Sequence, residues 1–242
     1  MCCKADEELH ELVKDRFAII QKKQGFRFGT DAVLLADFIK AAPRMKLIDF
    51  GFGTGVIALL TAIHHQDARV CGVELQADMA EMAHRSVELN ALNDRVDLRQ
   101  GDIRAAARIF GYGIFDRVSC NPPYFEPASS IRPDTDSKLV SRMLTDISLD
   151  EICKSAFEVL KSGGRLSVVY PASRIDEMLF AMRQNRLSPK RIRAVQLTAS
   201  KAPKLMLLDA VKQGGSGLDW LPPLILQNDD GSHSAEWHRI YD

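Results

Sequence analysis

The sequence has no net charge, no cysteine pair at metal-binding spacing and no long apolar run. Its 242 residues include 32 lysines and arginines and 32 aspartates and glutamates, so any nucleic-acid surface has to be local. Five cysteines with no CxxC pair, an odd number, argue against a disulfide framework or a zinc site and suit a reducing compartment. No 18-residue apolar stretch occurs, and the first segment, MCCKADEELHEL, lacks the apolar centre of a signal peptide. We therefore expect a cytoplasmic protein that uses neither a membrane nor a metal.

Apolar segments of strand type and helix type alternate between residues 46 and 171. Strands are predicted at 46–50, 68–74, 95–100, 114–120 and 165–171, and helices at 56–65, 76–92, 104–110 and 149–160. A short strand at 17–21 and an apolar helix at 32–42 precede them. This alternation predicts an α/β fold in which a mostly parallel sheet carries helices on both faces.

Two further apolar runs, 191–197 and 203–211, are separated by only five residues. A parallel pair needs a crossover of about a dozen residues or more, so these two strands should pair antiparallel. A mostly parallel seven-stranded sheet closed by an antiparallel hairpin is typical of class I S-adenosylmethionine (SAM) methyltransferases, which have a Rossmann-like fold. We expect residues 46–242 to form this single domain and residues 1–45 to form an extension packed on it.

Glycines and acids follow the predicted strands, at the positions where an open α/β sheet binds ligands. The turn DFGFGTG contains Gly51, Gly53 and Gly55, which let the backbone turn sharply and approach a ligand closely. Glu74 ends the next strand, where its carboxylate can accept hydrogen bonds from both ribose hydroxyls of a nucleoside. Asp102 follows the third strand, where it can meet the amino group of an adenine.

These signals leave alternatives open. NAD and FAD sites use related glycine turns, and some such turns bind nothing. Glu74 can be only a helix-terminating acid, and Asp102 can cap the helix that begins near Arg104. Asp49, beside the turn, adds an acid at a third strand end. Three acids suit a ligand with a ribose, an adenine amino group and a cationic amino-acid end. We therefore expect SAM as the cofactor, with S-adenosylhomocysteine as its product.

The segment CNPPYF, residues 120–125, follows the fourth strand of the alternating region. Its two prolines hold the chain rigid and offer no N–H, so the Asn121 amide oxygen and the Pro122 carbonyl can accept the two hydrogens of an amino group. Tyr124 offers a face for a planar group, which is worth about 1–3 kcal/mol for a base, and we expect its neighbours Pro123 and Phe125 to contact the substrate as well. Acceptors aimed at an amine strengthen as methyl transfer places positive charge on nitrogen. The alternative is a turn that only ends a strand.

These motifs together resemble the bacterial tRNA(Val) adenine-37 N(6)-methyltransferase family, within the "small domain" methyltransferases. The likeness runs from GFRFGTDAVLLADFI through DFGFGTGVIALL, GVELQADMAEMAHRSVELN and FDRVSCNPPYF to LPPLILQNDDGSHSAEW. It implies that Thr30 and Asp31 lie on the cofactor side and that residues 121–124 hold the target amine. The expected cofactor contacts are therefore Thr30, Asp31, Asp49, Gly51, Gly53, Gly55, Glu74, Asp102 and Asn121, and the expected catalytic residues are Asn121, Pro122 and Tyr124.

Two positions depart from the family pattern. Phe52 stands in the glycine turn where a smaller residue is usual. Residues 141–144 read Ser-Arg-Met-Leu where the family often has Ala-Arg-His-Glu, which leaves Arg142 as a candidate substrate contact.

The target amine can belong to an adenine or to a protein glutamine. Only about 45 residues precede Asp49, whereas release-factor glutamine methyltransferases carry a sizeable helical domain there. The loop at 126–146 is short for a domain that extracts a base from duplex DNA, and single-stranded RNA loops present unpaired bases. We therefore expect an adenine in structured RNA, most of all tRNA, as the substrate.

Clusters of basic residues support an RNA partner. Seven lie between residues 183 and 204 with no acid among them, including Arg191 and Arg193 as expected substrate contacts, and Lys22, Lys23 and Arg27 form a second cluster. A solvated surface is the alternative for each cluster. A monomer or weak dimer is expected. The alternative functions are methylation of ribosomal RNA adenine, methylation of protein glutamine, and RNA binding without catalysis on this fold.

Overall fold

An eight-stranded mixed sheet forms the centre of the computed structural model, which describes residues 3–13, 16–24, 29–40, 42–123 and 147–241. The strands are β1 Glu7–Val13, β2 Phe17–Lys22, β3 Lys46–Phe50, β4 Arg69–Glu74, β5 Val96–Gln100, β6 Phe115–Cys120, β7 Leu160–Pro171, β8 Leu187–Gln196, β9 Leu205–Lys212 and β10 Asp219–Ile225. The described helices are α1 Thr30–Phe38, α2 Val56–His64, α3 Ala77–Leu89, α4 Ala106–Phe110, α5 Leu149–Val159, α6 Ile175–Gln184 and α7 Ala235–Tyr241. None of these helices is long and apolar enough to cross a membrane.

The sheet order is β10-β8-β9-β7-β6-β3-β4-β5, and every neighbouring pair is parallel except the two pairs that involve β9. The predicted parallel sheet with an antiparallel hairpin at its end is therefore confirmed. Because β3, β4, β5 and β6 run in the same direction and pair in close register, the turns that follow them emerge together at one edge. We call this edge the carboxyl edge of the sheet.

Apolar residues on neighbouring positions of a strand enter different halves of the core. Leu47 belongs to the cluster that includes residues of α1 and α2, whereas Ile48 belongs to the cluster that includes residues of α5 and α6. Both side chains are completely buried. This period of two, with apolar residues on both faces, is what a parallel sheet covered by helices on both sides requires.

The predicted number of seven strands was wrong, because β10 adds an eighth at the edge beside β8. Its sequence contains Pro222 and Pro223, which lack an N–H and argue against a strand in the middle of a sheet. The pairing tolerates them because β10 is an edge strand and its register shifts between Leu221 and Leu224, around the two prolines. Elements β1, α6 and α7 were also not predicted, and β7 begins at Leu160 rather than at residue 165.

The N-terminal hairpin β1–β2 packs against α3. The amide of Ile20 donates a 3.0 Å hydrogen bond to Ser86 Oγ, and Arg85 donates two 2.7 Å hydrogen bonds to the buried carboxylate of Glu7. Gln21 Nε2 also donates to Thr54 Oγ1, within the glycine turn, at 3.3 Å. The hairpin thus supports the turn from outside the sheet.

Phe52, the unusually large residue in the glycine turn, points its side chain into the core and not toward the ligand side of the turn. It is 5 % exposed and covers β4 at Gly72, where an added Cβ would stand 2.6 Å from Phe52 Cδ1 and 2.7 Å from Leu98 Cδ2. A glycine on the neighbouring strand therefore makes the room that the aromatic ring needs.

Gly72→Ala should lower the free energy of unfolding by about 1–3 kcal/mol, because the new methyl group overpacks this contact. Gly215→Ala is the matched control, since a Cβ there meets nothing within 4 Å. Adding Phe52→Leu to Gly72→Ala should recover part of the loss in a urea unfolding experiment. Equal stability of the two single alanine variants would show that the packing is not tight.

Candidate cofactor and amine site

The glycine turn after β3 opens onto the carboxyl edge. Gly51, Gly53 and Gly55 have φ angles of 66°, 55° and 91°, in the left-handed region that favours glycine. The turn is held by a hydrogen bond from Gly51 N to Val73 O and another from Gly55 N to Phe52 O, both 2.8 Å. A Cβ on Gly51 would meet nothing within 4 Å, so this part of the backbone is accessible to a ligand.

Glu74, at the end of β4, is 4 % exposed and braces this turn. Its Oε2 accepts a 3.0 Å hydrogen bond from Gly53 N, and its Oε1 accepts a 2.9 Å hydrogen bond from Gln76 N, just before α3. Each carboxylate oxygen retains a further lone pair, so these contacts leave capacity for ribose hydroxyls. The ribose contact itself stays a prediction.

Asp49, at the carboxyl end of β3, is 1 % exposed and only half satisfied. Ser119 Oγ donates a 2.7 Å hydrogen bond to Oδ1, whereas no donor within the described ranges reaches Oδ2. Burial raises the pKa of Asp49 to about 7; the Ser119 hydrogen bond opposes this rise and the charge of Glu74 adds to it. A buried carboxylate with an unpaired oxygen favours a ligand that brings a cation or an N–H group.

Asp102, after β5, caps the short 3-10 turn Ile103–Ala105. It accepts a 2.8 Å hydrogen bond from Arg104 N and a 2.6 Å hydrogen bond from Arg104 Nη2. The helix-cap alternative is thus what the structure shows, and the adenine contact stays a prediction.

Two apolar residues, Leu75 and Ile103, directly follow Glu74 and Asp102 at this edge and were not among the predicted site residues. Leu75 follows Glu74 and is 47 % exposed, although leucine is usually buried. Ile103 follows Asp102 and is half-buried. The pattern in the sequence that could have indicated them as site residues is an apolar residue immediately after Glu74 and another immediately after Asp102.

Asn121, the first residue after β6, is joined to α1. Its Nδ2 donates a 3.1 Å hydrogen bond to Asp31 Oδ2, whereas its Oδ1 is buried and has no partner among the described residues. Pro122 is buried and Pro123 exposed. Asp31 therefore contacts the amide of the predicted amine site, and this contact was not foreseen.

Some predicted site residues have other placements. Thr30, at the start of α1, accepts a 3.5 Å hydrogen bond on its carbonyl oxygen from the hydroxyl of Tyr241. Tyr124, Phe125 and Arg142 lie outside the described residues, so their predicted roles stay predictions.

Arg191 and Arg193 are largely buried and paired with acids, and their roles as substrate contacts stay predictions. Arg191 Nη1 lies 2.8 Å from Oδ2 of the fully buried Asp209, and its guanidinium stacks 4.3 Å from the ring of Phe38. Arg193 Nη2 lies 2.8 Å from Glu236 Oε2, and both arginine side chains are less than 20 % exposed. Asp209 faces Arg191 in the β8–β9 register, although 18 residues separate them in sequence.

The stretch of basic residues from 183 to 204 is divided between opposite edges of the sheet. Arg183 and Arg186 precede β8, whereas Lys201 and Lys204 lie in the loop after it, and β8 runs the length of the sheet between them. Because β8 is antiparallel to β9, which is antiparallel to β7, that loop lies at the carboxyl edge. In the other basic cluster, Lys22 pairs with Asp78 at 3.0 Å, Lys23 Nζ donates to Ala5 O at 2.8 Å, and Arg27 lies outside the described residues.

Three stacked aromatic rings form a column near the carboxyl edge of the sheet. His233 stacks on Trp237 with centroids 4.4 Å apart and an angle of 8°, and Trp237 stacks on Tyr241 at 3.9 Å and 18°. The Tyr241 hydroxyl reaches Thr30, so the column connects α7 to the start of α1 beside the amine site.

Asp49→Asn should change how stability depends on pH. The pKa of Asp49 is raised from 3.8 to about 7 in the folded state. The protonated side chain therefore makes its full contribution to the free energy of unfolding of the wild type below pH 3.8, and this contribution is lost as the pH rises to about 7. The free energy of unfolding of the variant, minus that of the wild type, should therefore increase by a few kcal/mol over this pH range. Above about pH 7 the difference should stay constant. Urea unfolding at pH 5, 6, 7 and 8 measures this, and a gap independent of pH would contradict it.

Comparisons with known proteins agree with this geometry. The family model "Methyltransferase small domain" matches residues 23–184. A Porphyromonas gingivalis protein named tRNA1(Val) (adenine(37)-N6)-methyltransferase is 30 % identical over 234 residues, 93 % of this chain and 91 % of the relative. A Tolumonas auensis protein of the same name is 25 % identical, over 96 % of this chain and 95 % of the relative.

Solved structures with lower identity share the fold. A predicted O-methyltransferase from Agrobacterium tumefaciens superposes with a TM-score of 0.72 at 23 % identity, covering 87 % of this chain and 95 % of the other. Pyrococcus horikoshii TYW2 in complex with MeSAdo gives a TM-score of 0.59 at 15 % identity, covering 87 % and 73 %. The predicted class I methyltransferase fold is thus confirmed, and the chain belongs to the methyltransferase small domain family, among the tRNA1(Val) (adenine(37)-N6)-methyltransferases.

Proposed function

We propose that this protein is a SAM-dependent methyltransferase that methylates the N6 amino group of an adenine in tRNA, with adenine 37 of a tRNA(Val) as the target that its relatives' name indicates. The observation that carries the proposal is the buried, unpartnered amide oxygen of Asn121 at the carboxyl edge of the sheet. It is a hydrogen-bond acceptor without a protein donor in the described ranges, beside a backbone turn that is open to a ligand.

The residues around the glycine turn fit SAM. Gly51 leaves its backbone accessible, Glu74 has acceptor capacity for the ribose, and Leu75 and Ile103 offer apolar surface for an adenine ring. The unpaired Oδ2 of Asp49 suits the cationic amino-acid end. When bound, SAM supplies a methyl group on a positively charged sulfur atom, which a nucleophile can attack.

The amine site acts through acceptors and needs no strong base. Asn121 Oδ1 accepts one N–H of the target amino group, and the Pro122 carbonyl accepts the other. Both hydrogen bonds strengthen as the nitrogen gains positive charge, which stabilises the transition state more than the bound substrate. The methylated amine is then a strong acid and loses its extra proton to water. The two prolines limit backbone movement, so the acceptors are positioned before the substrate arrives.

Features of the carboxyl edge favour RNA over a protein substrate. Lys201 and Lys204 are exposed there. The loop that carries them joins β8 to β9, and β9 is the strand next to β7 in the sheet. Strands lie about 4.8 Å apart, so this loop is within reach of phosphates beside a base held at Asn121. The aromatic column on α7 lies on the same side, next to Thr30.

Asn121→Ala should reduce methyl transfer to RNA by at least about a hundredfold, because it removes an acceptor that acts in the transition state. The dissociation constant for SAM, measured by calorimetry, should stay within about twofold. The assay uses radioactive SAM with total RNA from cells that lack this gene, followed by nucleoside mapping for N6-methyladenosine. Glu74→Ala is the contrasting variant and should weaken SAM binding itself.

Each alternative function has its own outcome in that assay. Label that appears only in protein would indicate a glutamine methyltransferase, and label in ribosomal RNA would move the substrate away from tRNA. No label in any macromolecule, with RNA still bound, would indicate a non-catalytic RNA-binding protein.

Removing two charges at the carboxyl edge should weaken RNA binding in a salt-dependent way. The variant Lys201→Gln/Lys204→Gln should lower the slope of log K against log salt concentration by about 1–2 units, because each lost phosphate contact removes close to one unit or less. Arg183→Gln/Arg186→Gln removes two charges at the opposite edge and serves as the matched control. Equal slopes for the two variants would argue against RNA binding at the carboxyl edge.

A further inference from the structure

Asn121 is useful to an amine only if its oxygen, and not its nitrogen, faces the substrate. We propose that Asp31 is a positioning residue that fixes this orientation of the Asn121 amide. The inference rests on the proposed function and deepens it, because it assigns to Asp31 a role toward the target amine rather than toward the cofactor.

The chemistry of the contact determines the orientation. An ionised carboxylate only accepts hydrogen bonds, so the group of Asn121 that lies 3.1 Å from Asp31 Oδ2 has to be the donor, Nδ2. The oxygen then points away from Asp31, and it is this oxygen that has no partner among the described residues. A rotation of the amide by half a turn would place two oxygens against each other and would present N–H groups to an amine that itself donates.

The same contact also makes the oxygen a better acceptor. Nδ2 donates to a charged group, and hydrogen bonds in a chain polarise one another, so electron density on Oδ1 increases. The positive charge that develops on the amine nitrogen is therefore met by a more negative oxygen. Asp31 acts in this way through Asn121, without touching the amine.

The surrounding structure holds Asp31 in place. Gly29 leaves room for its carboxylate, because a Cβ on Gly29 would stand 2.5 Å from Asp31 Oδ1. Gly29 has φ −94° and ψ 173°, which any residue adopts, so the glycine is needed for space and not for its backbone conformation. Asp37, near the opposite end of α1, instead accepts two exposed hydrogen bonds, of 2.7 and 2.9 Å, from Arg239 of α7, apart from the Asp31 contact.

A double-mutant cycle tests the orientation. D31N offers Asn121 both a donor and an acceptor, so the amide orientation is no longer selected, and kcat should fall about tenfold with unchanged dissociation constants for SAM and RNA. N121D sets two carboxylates against each other and should lose more. In D31N/N121D, the amide introduced at position 31 can donate to the carboxylate introduced at position 121, whose second oxygen then accepts from the amine. The double variant should be at least tenfold faster than N121D.

Two further variants separate positioning from a loss of charge or of folding. G29A keeps every charge but pushes the Asp31 carboxylate from its place, so it should lower kcat in the same direction as D31N. D37N removes a carboxylate from the same helix at a position paired with Arg239 and should leave kcat unchanged. A kcat for D31N equal to that of D37N, or a double variant no faster than N121D, would overturn the proposal.

A readout that does not depend on activity distinguishes this proposal from the proposed function. In protein labelled with 15N at asparagine side chains, the Asn121 amide signal is identified by its loss in N121A. D31N should shift that signal and speed the exchange of its protons, whereas D37N should not. If the wild type transfers no methyl group but the signal depends on Asp31, the proposed function fails and the contact stands. If D31N changes neither the position of the Asn121 amide signal nor the exchange rate of its protons, the positioning role fails whatever the activity.

Discussion

The parallel pairing of β3, β4, β5 and β6 is the constraint on which the rest of the site depends. Backbone hydrogen bonds in register bring the carboxyl ends of these strands together, so that Asp49, Glu74 and Asn121 meet at one edge although 72 residues separate the first from the last. Strands buried on both faces have little freedom to shift, because a slip by one residue would move every side chain to the opposite face and disrupt its packing against the helices. The positions of the functional groups are therefore fixed by the same contacts that stabilise the fold.

This edge of the sheet is rich in acceptors. Asp49 has an unpaired carboxylate oxygen, Asn121 has an unpaired amide oxygen, and Glu74 already accepts from the glycine turn. Buried acceptors that lack a hydrogen-bond partner destabilise the folded state, and the raised pKa of Asp49 is a consequence of such burial. A cationic cofactor and a substrate amine are ligands that relieve this cost, so the destabilising features of the isolated fold are the ones that favour binding.

Helix α1 has a larger part in the site than its sequence indicated. Its first turn supplies Asp31 to Asn121, its last turn lies against Arg191, and Asp37 pairs with Arg239 of α7. The N-terminal hairpin supports the glycine turn from the other side through Gln21 and Thr54. The segments before β3 are thus joined both to the core and to the residues that the sequence associates with chemistry.

The sequence by itself determined the alternation of strands and helices, the glycine turn and the Asn-Pro-Pro segment, because periodicity, φ preferences and the absence of a proline N–H are local properties. It missed β10 because prolines are acceptable in a strand only at a sheet edge or an irregularity in pairing, and both are properties of the assembled sheet. It also gave no sign that Arg191 pairs with Asp209, because strand pairing brings the two residues opposite each other. Only the tertiary structure decided that Asp31 faces Asn121, because a hydrogen bond between residues 90 positions apart depends on where two elements pack and not on either segment alone.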